Sequence, residues 1–584
     1  MGTRPTVSRL ITLWISARLV GMYLRTTQRR NRDGTVVRYV QLAHNRRVDG
    51  VTQAQVLLNL GREDQLDREG LRRLVSSINR YLGEPDAGLP ADAAPLVGDG
   101  LRVTGSRPIG TVHLLDGLWH SLDVDAALRS RRFTTNVERV LFALVANRAI
   151  DPMSKLSAAE WATCDVAIDG LEVMDEDQAY RAMDLLVEAD AQAEVQEAVF
   201  FAVADLLNLE VDLLLFDTTS TYFERDTEEA GDEAFRRYGH SKDHRDDLPQ
   251  VVIGLAVTKE GIPVRVWCWP GNTNDQAILP EVKDDIRNWR LGRIITVVDR
   301  GFSSADNLAY LRRGGGHFIA GMRMRDGNPL TSQVLSRQGR YQQVRDNLRV
   351  KEIAVEGTDV RFIICHNPEQ AERDRTRRED AITRLEAELT RIKQARERDR
   401  TKNANDKVKQ QAEAAHLKAE CALRDHRSLG RWLRQSPSGR LLIDRAKIKA
   451  EARLDGKYLL ATSDPHISAE DTALGYKNLL EAERGFRDMK SALLLRPVFH
   501  RLEHRIRAHV LLCWLGLLLT RIAERRTGTT WRRIATDLGR VHAVSLTGSV
   551  GTAVHTTPLS TAQADIFRHC QVVPPAAITA LDPG

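Results

Sequence analysis

Three acidic side chains, far apart in the sequence, have surroundings that suit a shared chemical site. Asp217 follows the apolar run LLLF and Asp299 follows IITVV, and each run predicts a strand buried on both faces. The third candidate is Glu481 or Glu483, within GYKNLLEAERGFRDMK at 475–490. Carboxylates that converge repel one another unless a cation lies between them, and hard divalent ions prefer oxygen ligands. The sequence therefore predicts a site for Mg²⁺, with Mn²⁺ as a substitute; a third carboxylate would allow two ions about 3.5–4 Å apart, the arrangement that supports phosphoryl transfer.

Each aspartate also has a simpler explanation. A strand-end aspartate often accepts hydrogen bonds from its own turn, and Thr218, Thr219 and Ser220 follow Asp217. The occurrence of two such aspartates, on strands expected to be neighbours, favours the shared site.

Helix geometry separates the two glutamates. At about 100° per residue, Tyr476, Glu483 and Lys490 fall on one face of a continuous helix, whereas Glu481 points away from Lys490. Glu483 is therefore the candidate ligand. The alternative is a surface helix in which Glu483 and Arg487 form an ordinary i, i+4 ion pair.

The segments that carry these residues have an α/β pattern. Three strands are predicted at 211–223, 250–258 and 262–270; then come the helix DQAILPEVKDDIRNW, the strand RIITVVD, the helix SADNLAYLRR and the strand HFIAGMRM. This order is typical of a ribonuclease-H-like mixed-sheet core. The first part of that core is assigned to residues 210–323, and 467–530 supplies the catalytic helix and a core helix.

A long insertion, residues 324–466, separates the two parts of the core. Its charged segment at 369–425 has apolar residues at three- and four-residue steps, which predict a partly coiled-coil antiparallel hairpin. The first helix would use Ile382, Leu385, Leu389 and Ile392, and the second, after TKNAND, would use Val408, Ala412, Ala415 and Ala422. A solvated charged helix without a function is the alternative.

The remainder of the chain divides by pattern. Residues 1–21 are a candidate upstream extension that fits a signal peptide poorly, which leaves Met1 and Met22 as alternative starts. Residues 22–100 predict a small β-rich unit, in which TVVRYVQLA and TQAQVLLNLG form short strands on either side of NRRVDG, followed by a helix at 67–82 and a linker. Residues 101–209 predict a helical domain, and 531–584 form a C-terminal segment.

Basic residues in the helical domain suggest either DNA binding or a plain scaffold. They are Arg129, Arg131, Arg132, Arg139 and Arg148. The later segment HRLEHRIRAHV, with His500, Arg501, Arg505 and Arg507, suggests either DNA backbone binding or a solvated surface.

Composition fits a multidomain soluble protein with a polyanionic partner. The 584 residues suggest units of roughly 150 residues, and the net charge is +6 with a sequence pI of about 9.0. Six cysteines occur singly with no C-x-x-C pair, so neither a zinc site nor a disulfide framework is indicated and a reducing cytoplasm fits. The run VLLCWLGLLL at 510–519 is too short to span a membrane and predicts a buried helix.

Four ordered motifs resemble those of a known family. They are FDTTSTYFE, the stretch from YGHSKDH to GNTND, VVDRGF, and YKNLLEAERGFRDMKSALLLRPVFHRLEHRIRAHV. Together they resemble the DDE transposases of bacterial insertion sequences, in particular the group with a Tyr, Arg, Glu, Lys signature on the last catalytic helix. The resemblance covers roughly residues 22–530.

The resemblance implies roles for particular residues. Asp217, Asp299 and Glu483 would hold the metal ions, while Tyr476 and Lys490 match the signature tyrosine and lysine, which grip DNA phosphates near the cleaved end. Leu479 stands where the signature has arginine, so that contact is lost or moved to Lys477 or Arg487. In the loop GHSKDH, Lys242 is a further predicted phosphate contact, with a solvated turn as the alternative.

The function implied is that of a transposase. It would bind double-stranded DNA at the terminal inverted repeats of its element, hydrolyse phosphodiester bonds there and join the freed 3′-OH to target DNA. A homodimer on DNA and a cytoplasmic, nucleoid-associated location are expected, with no membrane partner. The alternatives are a nuclease without strand transfer and a DNA-binding or coiled-coil regulatory protein.

Overall fold

The computed structural model describes most of the chain. The described residues are 22–30, 36–48, 51–63, 66, 96–97, 101–129, 134–190, 193–209, 211–224, 231, 234–289, 293–401, 405–437, 439–549 and 551–583. The candidate extension at 1–21, the predicted helix at 67–82, most of the predicted linker, Arg131 and Arg132 lie outside them. The chain forms two compact units, residues 1–103 and 104–584.

The first unit contains a three-stranded antiparallel sheet. Its strands, in spatial order, are β1 (Met22–Arg30), β2 (Val36–Val48) and β3 (Val51–Arg62). The β-rich prediction is confirmed, but β2 and β3 have 13 and 12 residues, so the prediction of short strands is wrong. Strand β2 continues through most of NRRVDG because its pairing with β3 extends to Val48 and Val51.

The chain from 101 to 209 is largely helical, as predicted. After the short strands β4 (Leu96–Val97) and β5 (Leu101–Pro108) come six helices: α1 (Gly110–Ser121), α2 (Val124–Arg129), α3 (Thr135–Ile150), α4 (Lys155–Glu160), α5 (Glu176–Ala189) and α6 (Glu194–Leu207). A π-helical turn, Trp161–Asp165, follows α4. Helix α5 begins with a capping box between Asp175 and Gln178, which satisfies backbone N–H groups at its first turn.

Two of the arginines that left DNA binding and a plain scaffold as alternatives are buried inside this helical region. Arg139 pairs with Asp116 at 2.8 Å and Glu138 at 2.7 Å. Arg148 donates to the Leu494 carbonyl at 3.2 Å. For these two residues the DNA-binding interpretation is wrong, because their guanidinium groups form buried contacts within the protein.

A nine-stranded mixed sheet forms the centre of the second unit. The predicted order of elements is confirmed: β6 (Leu213–Tyr222), β7 (Gln250–Thr258), β8 (Pro263–Pro270), α7 (Asp275–Asn288), β9 (Ile295–Val298), α8 (Ala305–Arg312) and β10 (His317–Met322). Strands β6, β9 and β10 are parallel, whereas β6, β7 and β8 are antiparallel.

The insertion contributes to the same sheet. After α9 (Pro329–Ser336), its strands are β11 (Gln342–Arg345), β12 (Leu348–Ile353), β13 (Arg361–His366) and, nearer its end, β16 (Lys457–Thr462). The sheet order is β11-β12-β13-β16-β10-β9-β6-β7-β8. The insertion therefore extends the sheet from which β6 and β9 present their aspartates.

The charged segment of the insertion forms two packed helices, α10 (Pro368–Thr401) and α11 (Asp406–Arg424). Ion pairs of 3.0 Å join Arg396 to Glu420 and His416 to Asp399, so the helices run antiparallel. The hairpin prediction is confirmed in this respect. β14 (Leu433–Gln435), β15 (Leu441–Ile443) and α12 (Arg445–Ala452) follow.

The buried residues of this hairpin differ from those predicted for its second helix. Its core contains Leu385, Ile392, Leu423 and Trp432. The predicted stripe in α11 is wrong: Val408, Ala415 and Ala422 are exposed. Burial falls instead at His416 and Leu423, because α11 is rotated so that these side chains face α10.

The segment predicted to be catalytic and a buried helix complete the second unit. They are α13 (Ala469–Lys477), α14 (Leu480–Ser491), α15 (Glu503–Thr527), α16 (Trp531–Leu538), β17 (His542–Gly548), β18 (Gly551–Thr556), α17 (Thr561–Cys570) and β19 (Ile578–Pro583). Helix α15 is long and apolar enough to cross a membrane, but 94% of its most apolar window is buried within the protein. The prediction of a buried core helix is confirmed.

Candidate metal and phosphoryl-transfer site

The backbone places Asp217 and Asp299 side by side. Strands β6 and β9 pair in parallel as far as Phe216 and Val298, so the two aspartates are the next residues on adjacent strands. Because side chains alternate along a strand, both lie on the face that carries Leu215 and Val297. That face packs against α14.

The strand-end position predicted for Asp217 is wrong, although its predicted neighbour is correct. Strand β6 continues for five residues beyond it, to Tyr222, and Asp217 pairs with Leu255 of β7. The threonine-rich stretch that indicated a turn remains extended because β7 supplies backbone partners throughout. Asp299 does follow the last residue of β9.

The electrostatic environment of Asp217 favours a cation. Burial raises the pKa of its carboxyl to about 6; Lys242 and a hydrogen bond from the Thr218 N–H lower the pKa, and the nearby Asp299 and Asp275 raise it. The Thr218 N–H donates to Asp217 Oδ1 at 2.7 Å. A divalent ion would relieve both the burial of charge and the repulsion between carboxylates.

The third acidic residue is carried by a broken helix. The chain from 469 to 491 is two helices, not one, since α13 ends at Lys477 and α14 begins at Leu480. Tight turns make the break: the Leu479 N–H donates to the Tyr476 carbonyl at 3.1 Å. The assumption of a continuous helix was therefore wrong.

Glu483 nevertheless faces the aspartates and Glu481 does not. Glu483 lines the cavity that also contains Asp217 and Asp299. Glu481 lies against Gly261, where a β-carbon would be 2.6 Å from Glu481 Oε2. The selection of Glu483 as a metal ligand stays a prediction, and this placement is what it requires.

Helix α14 packs closely against the sheet at a glycine. A β-carbon at Gly485 would lie 2.8 Å from Leu255 Cδ2, and Leu255 is the residue opposite Asp217. A larger side chain would push the helix away. Gly485 thus allows Glu483, two residues earlier, to approach the aspartates.

Tyr476 contacts one of the aspartates directly. Its hydroxyl donates to Asp299 Oδ1 at 2.7 Å, and its ring stacks on Tyr458. Burial and the neighbouring Asp299 raise the pKa of this phenol. There is no space for a β-carbon between the Tyr476 hydroxyl and β10 at Gly321. Before DNA is present, therefore, the hydroxyl orients Asp299.

Lys490 is engaged in an ion pair. Its Nζ lies 3.0 Å from both carboxylate oxygens of Asp243 and donates to Thr219 Oγ1 at 2.7 Å. Arg496 contacts the same carboxylate at 2.8 Å. Asp243 therefore neutralises a residue that was predicted to meet DNA.

Lys242 lies beside Asp217, as the loop prediction requires. Its Nζ donates to the Thr218 carbonyl at 2.8 Å and to the Thr218 hydroxyl, and it pairs with Asp275 at 3.1 Å. The loop itself is held to β6 by a bond from the Lys242 N–H to Ser220 Oγ at 2.9 Å. Lys242 lies in an exposed turn, so its phosphate contact stays a prediction beside the solvated-turn alternative, although its ammonium group also has structural partners.

Of the other predicted cations, only one in the described part of the chain lines the cavity. Lys477 lines the cavity, whereas Arg487 is exposed and is not among its lining residues. Arg505 pairs with Asp184 of α5 at 3.1 Å, and Arg507 donates to the Cys268 carbonyl of β8 at 2.6 Å. These last two contacts tie α15 to its neighbours.

The residues around Asp217 and Asp299 line a cavity of 1410 Å³. Its opposite wall comes from the insertion, mainly the start of α10 and the segments around α12. Basic residues are prominent in the lining: Arg300, Arg323, Arg325, Arg377, Arg378, Arg427, Arg431, Lys457 and Lys477. The cavity thus combines an acidic floor with cationic walls.

The donor set fits a hard divalent cation at Asp217 and Asp299. Both contribute carboxylate oxygens, and burial raises the pKa of Asp217 more than Lys242 lowers it, so its charge is only partly compensated. In the part of the chain that the structure describes, no three His, Cys, Asp or Glu side chains are grouped closely enough to hold an ion. Glu483 therefore lines the site without completing a ligand group in this conformation.

Three polar residues of the site were missed by sequence reasoning. Asp275 pairs with Lys242, whereas Asp243 pairs with Lys490 and with Arg496, which follows α14. A signal was present for Asp243, which stands next to Lys242 in GHSKDH. Its pairing with Lys490 spans 247 residues and had no local pattern to indicate it.

Comparison with known families gives two matches. Residues 212–519 match the family described as transposase DDE domain, and residues 24–92 match the N-terminal domain of IS1634 family transposases. A comparison with curated protein sequences gives no match. A cryo-EM structure of a piggyBac transposase synaptic complex with hairpin DNA is similar at 10% identity, with 70% of each chain covered and a TM-score of 0.33. This score is too low for any conclusion about a shared fold.

Proposed function

The chain belongs to the transposases that carry a DDE domain, since that family's model matches more than half of it, and on this premise we propose that Asp217, Asp299 and Glu483 are its catalytic carboxylates. The protein is a DNA transposase. Its N-terminal region matches a domain of an insertion-sequence transposase family. DDE transposase domains generally use divalent metal ions. The identity of the ion, the chemistry at the DNA ends and the roles of individual residues are our proposals.

One observation carries the assignment of the site. Asp217 and Asp299 are neighbours on parallel strands, and Glu483 lines the same cavity from a helix that packs on their face. In this proposal, α14 would move towards the sheet so that the third carboxylate joins the pair. Bound there, Mg²⁺ ions, or Mn²⁺ in their place, would activate water and then a 3′-OH for attack on phosphorus.

The residues of the chain have separate tasks in this scheme. Tyr476 orients Asp299 through its hydroxyl, and Lys242 offsets the charge of Asp217. Lys477 and the arginines of the cavity wall attract the DNA backbone towards the carboxylates. The insertion thereby holds DNA against the site.

The fold and assembly follow from the same premise. We assign β8-β7-β6-β9-β10 to a ribonuclease-H-like core, with α10 and α11 as its partly coiled-coil insertion. We also propose a homodimer on paired DNA ends, because both ends must be held for joining to a target. The six cysteines of the chain are free, which suits a protein of the reducing cytoplasm. We propose that the protein is associated with the nucleoid there.

The experiment that tests this function separates it from its alternatives. Labelled DNA carrying the inverted repeats that flank the gene is incubated with the protein, target plasmid and Mg²⁺. Cleavage at the repeat ends followed by joined products is the expected result. Cleavage without joining would indicate the nuclease, and binding without cleavage would indicate the regulatory protein.

A further inference from the structure

A cluster of opposite charges lies beside the carboxylates. Asp243 forms ion pairs with Lys490 at 3.0 Å and with Arg496 at 2.8 Å, and its side chain is only 15% exposed. The Arg496 guanidinium also lies over the Tyr222 ring, 5.6 Å from its centroid. Two cations therefore share one carboxylate near the C-terminal end of α14.

The hydrogen-bond capacity of Lys490 is already filled. An ammonium group has three donors, and here they meet Asp243 Oδ1, Asp243 Oδ2 and Thr219 Oγ1. A DNA phosphate can therefore bind Lys490 only by replacing one of these partners. Asp243 is the partner with the chemistry of a phosphate, an anion with two oxygens.

We propose that Lys490, Arg496 and Thr219 form a seat for one DNA phosphate, and that Asp243 occupies this seat until DNA displaces it. This inference rests on the proposed function, since it concerns the DNA held at the same site. It makes Arg496 a DNA-binding residue, and Asp243 an internal competitor of the DNA backbone.

The charge balance supports this exchange. Two cations face one carboxylate, and Lys242 lies near enough to repel Lys490. Asp243 is carried by the loop before β7, whereas Lys490 and Arg496 lie at and beyond the end of α14. Leu479 occupies the signature arginine position, and Arg496 provides an arginine beside Lys490 instead.

The first test removes the competitor. Asp243→Asn and the control Asp247→Asn each remove one negative charge from the same loop; Asp247 pairs with Arg245 and is 65% exposed. Binding to a pre-cleaved DNA end is measured by fluorescence anisotropy in EDTA. Asp243→Asn is expected to tighten binding at least about threefold, because both cations are released for the phosphate, while Asp247→Asn leaves it unchanged. Equal effects of the two variants, or weaker binding by Asp243→Asn, would overturn the proposal.

A double-mutant cycle locates the effect. In a Lys490→Gln, Arg496→Gln background, Asp243→Asn is expected to change nothing, because no cation remains to be released. Tightening that persists there would mean that Asp243 acts through general charge repulsion, against the proposal.

A second arm keeps the test decisive if Asp243→Asn fails to fold. Arg496→Gln should weaken end binding and lower the salt slope by about one unit. Arg245→Gln is the control, because Arg245 lies over the same Tyr222 ring at 5.1 Å but pairs with Asp247. If both arginine variants bound alike, Arg496 would not belong to the seat.

These binding measurements are independent of catalysis. A wild-type protein that bound ends without cleaving them would contradict the proposed function and leave the phosphate seat intact. Normal cleavage together with the contrary binding results would contradict the seat alone.

Discussion

At the scale of single residues, Asp217 should make the protein respond to pH and to metal together. Burial raises its pKa to about 6 in the folded state, above the ordinary value of 3.8. The folded protein thus holds this proton more tightly than the unfolded chain. Its stabilising contribution is fully present below the ordinary value and is lost as pH rises through about 6.

We therefore expect Mg²⁺ to stabilise the protein more at about pH 7.5 than at about pH 5, since the ion binds the ionised carboxyl. Thermal denaturation with and without Mg²⁺ at both values measures this. Asp217→Asn should abolish the difference, whereas Asp212→Asn, at an exposed residue paired with Lys259, should retain it. A metal effect that is independent of pH would exclude Asp217 as a ligand.

The two glutamates of α14 should differ sharply. Glu483→Gln is expected to lower the cleavage rate by at least about 100-fold, as for other groups needed in the transition state. Glu481→Gln should retain most activity because Glu481 lies against Gly261. Cleavage assays over a range of Mg²⁺ concentrations compare the two. If Glu481→Gln were the inactive variant, the assigned site would be wrong.

At the scale of elements, the approach of α14 to the sheet can be tested through Gly485. Alanine there gains about 1 kcal/mol of helix propensity but crowds buried Leu255, at a cost of about 1–3 kcal/mol. The free energy of unfolding should therefore fall by about 0–2 kcal/mol, while cleavage falls because Glu483 is displaced.

Gly516→Ala on α15 is the matched control. The nearest atoms to a β-carbon there lie at 3.7 Å, an ordinary contact. Cleavage and thermal denaturation are measured for both variants. Equal activity would show that the close packing at Gly485 does not position the site.

The outer half of the α10–α11 hairpin should serve assembly and not the chemistry. Residues 397–417 can be replaced by a short Gly/Ser turn, because Arg396 lies beside Glu420 across the hairpin. This leaves Arg377 and Arg378 in the cavity wall. Complexes on paired ends should weaken while single-end cleavage persists, as measured by gel shift and cleavage assays. An unchanged paired-end complex would reduce this segment to a solvated appendage.

Local patterns predicted the elements well, and contacts between distant segments less well. Strand β7 was predicted at its observed bounds, 250–258, because eight apolar or small residues follow Gln250 and lie between clear turn signals. The break at Asn478 and Leu479 was missed because neither residue interrupts the helical pattern. Strands β17, β18 and β19 were not predicted. Their sequences mix polar and apolar residues without a clear pattern, and their extended structure depends on pairing with one another.

The candidate site shows the same division. The order of Asp217, Asp299 and Glu483 followed from motifs. Asp217 is the fifth residue of β6 and not its last, because pairing with β7 keeps the following residues extended. The partners of Lys490 came from a loop 247 residues away, which no local pattern indicates.

At the scale of the whole molecule, one cavity combines contributions from distant parts of the second unit. The core strands supply the acidic floor, and the insertion supplies much of the cationic wall. The net charge is only +6, so attraction to DNA depends on where the cations lie more than on their total number. The insertion therefore lines the same cavity as the carboxylates of the core.

The central claim is that Asp217 and Asp299 hold metal ions for DNA cleavage and do not bind the DNA ends themselves. Its most direct test compares Asp217→Ala and Asp299→Ala with Asp212→Ala, which removes an exposed aspartate just before the same strand. Cleavage in Mg²⁺ and end binding by gel shift are measured on the same DNA. Both site variants should lose cleavage and keep end binding, while Asp212→Ala keeps both. Substantial cleavage by either site variant would contradict the metal site, and the account of this protein with it.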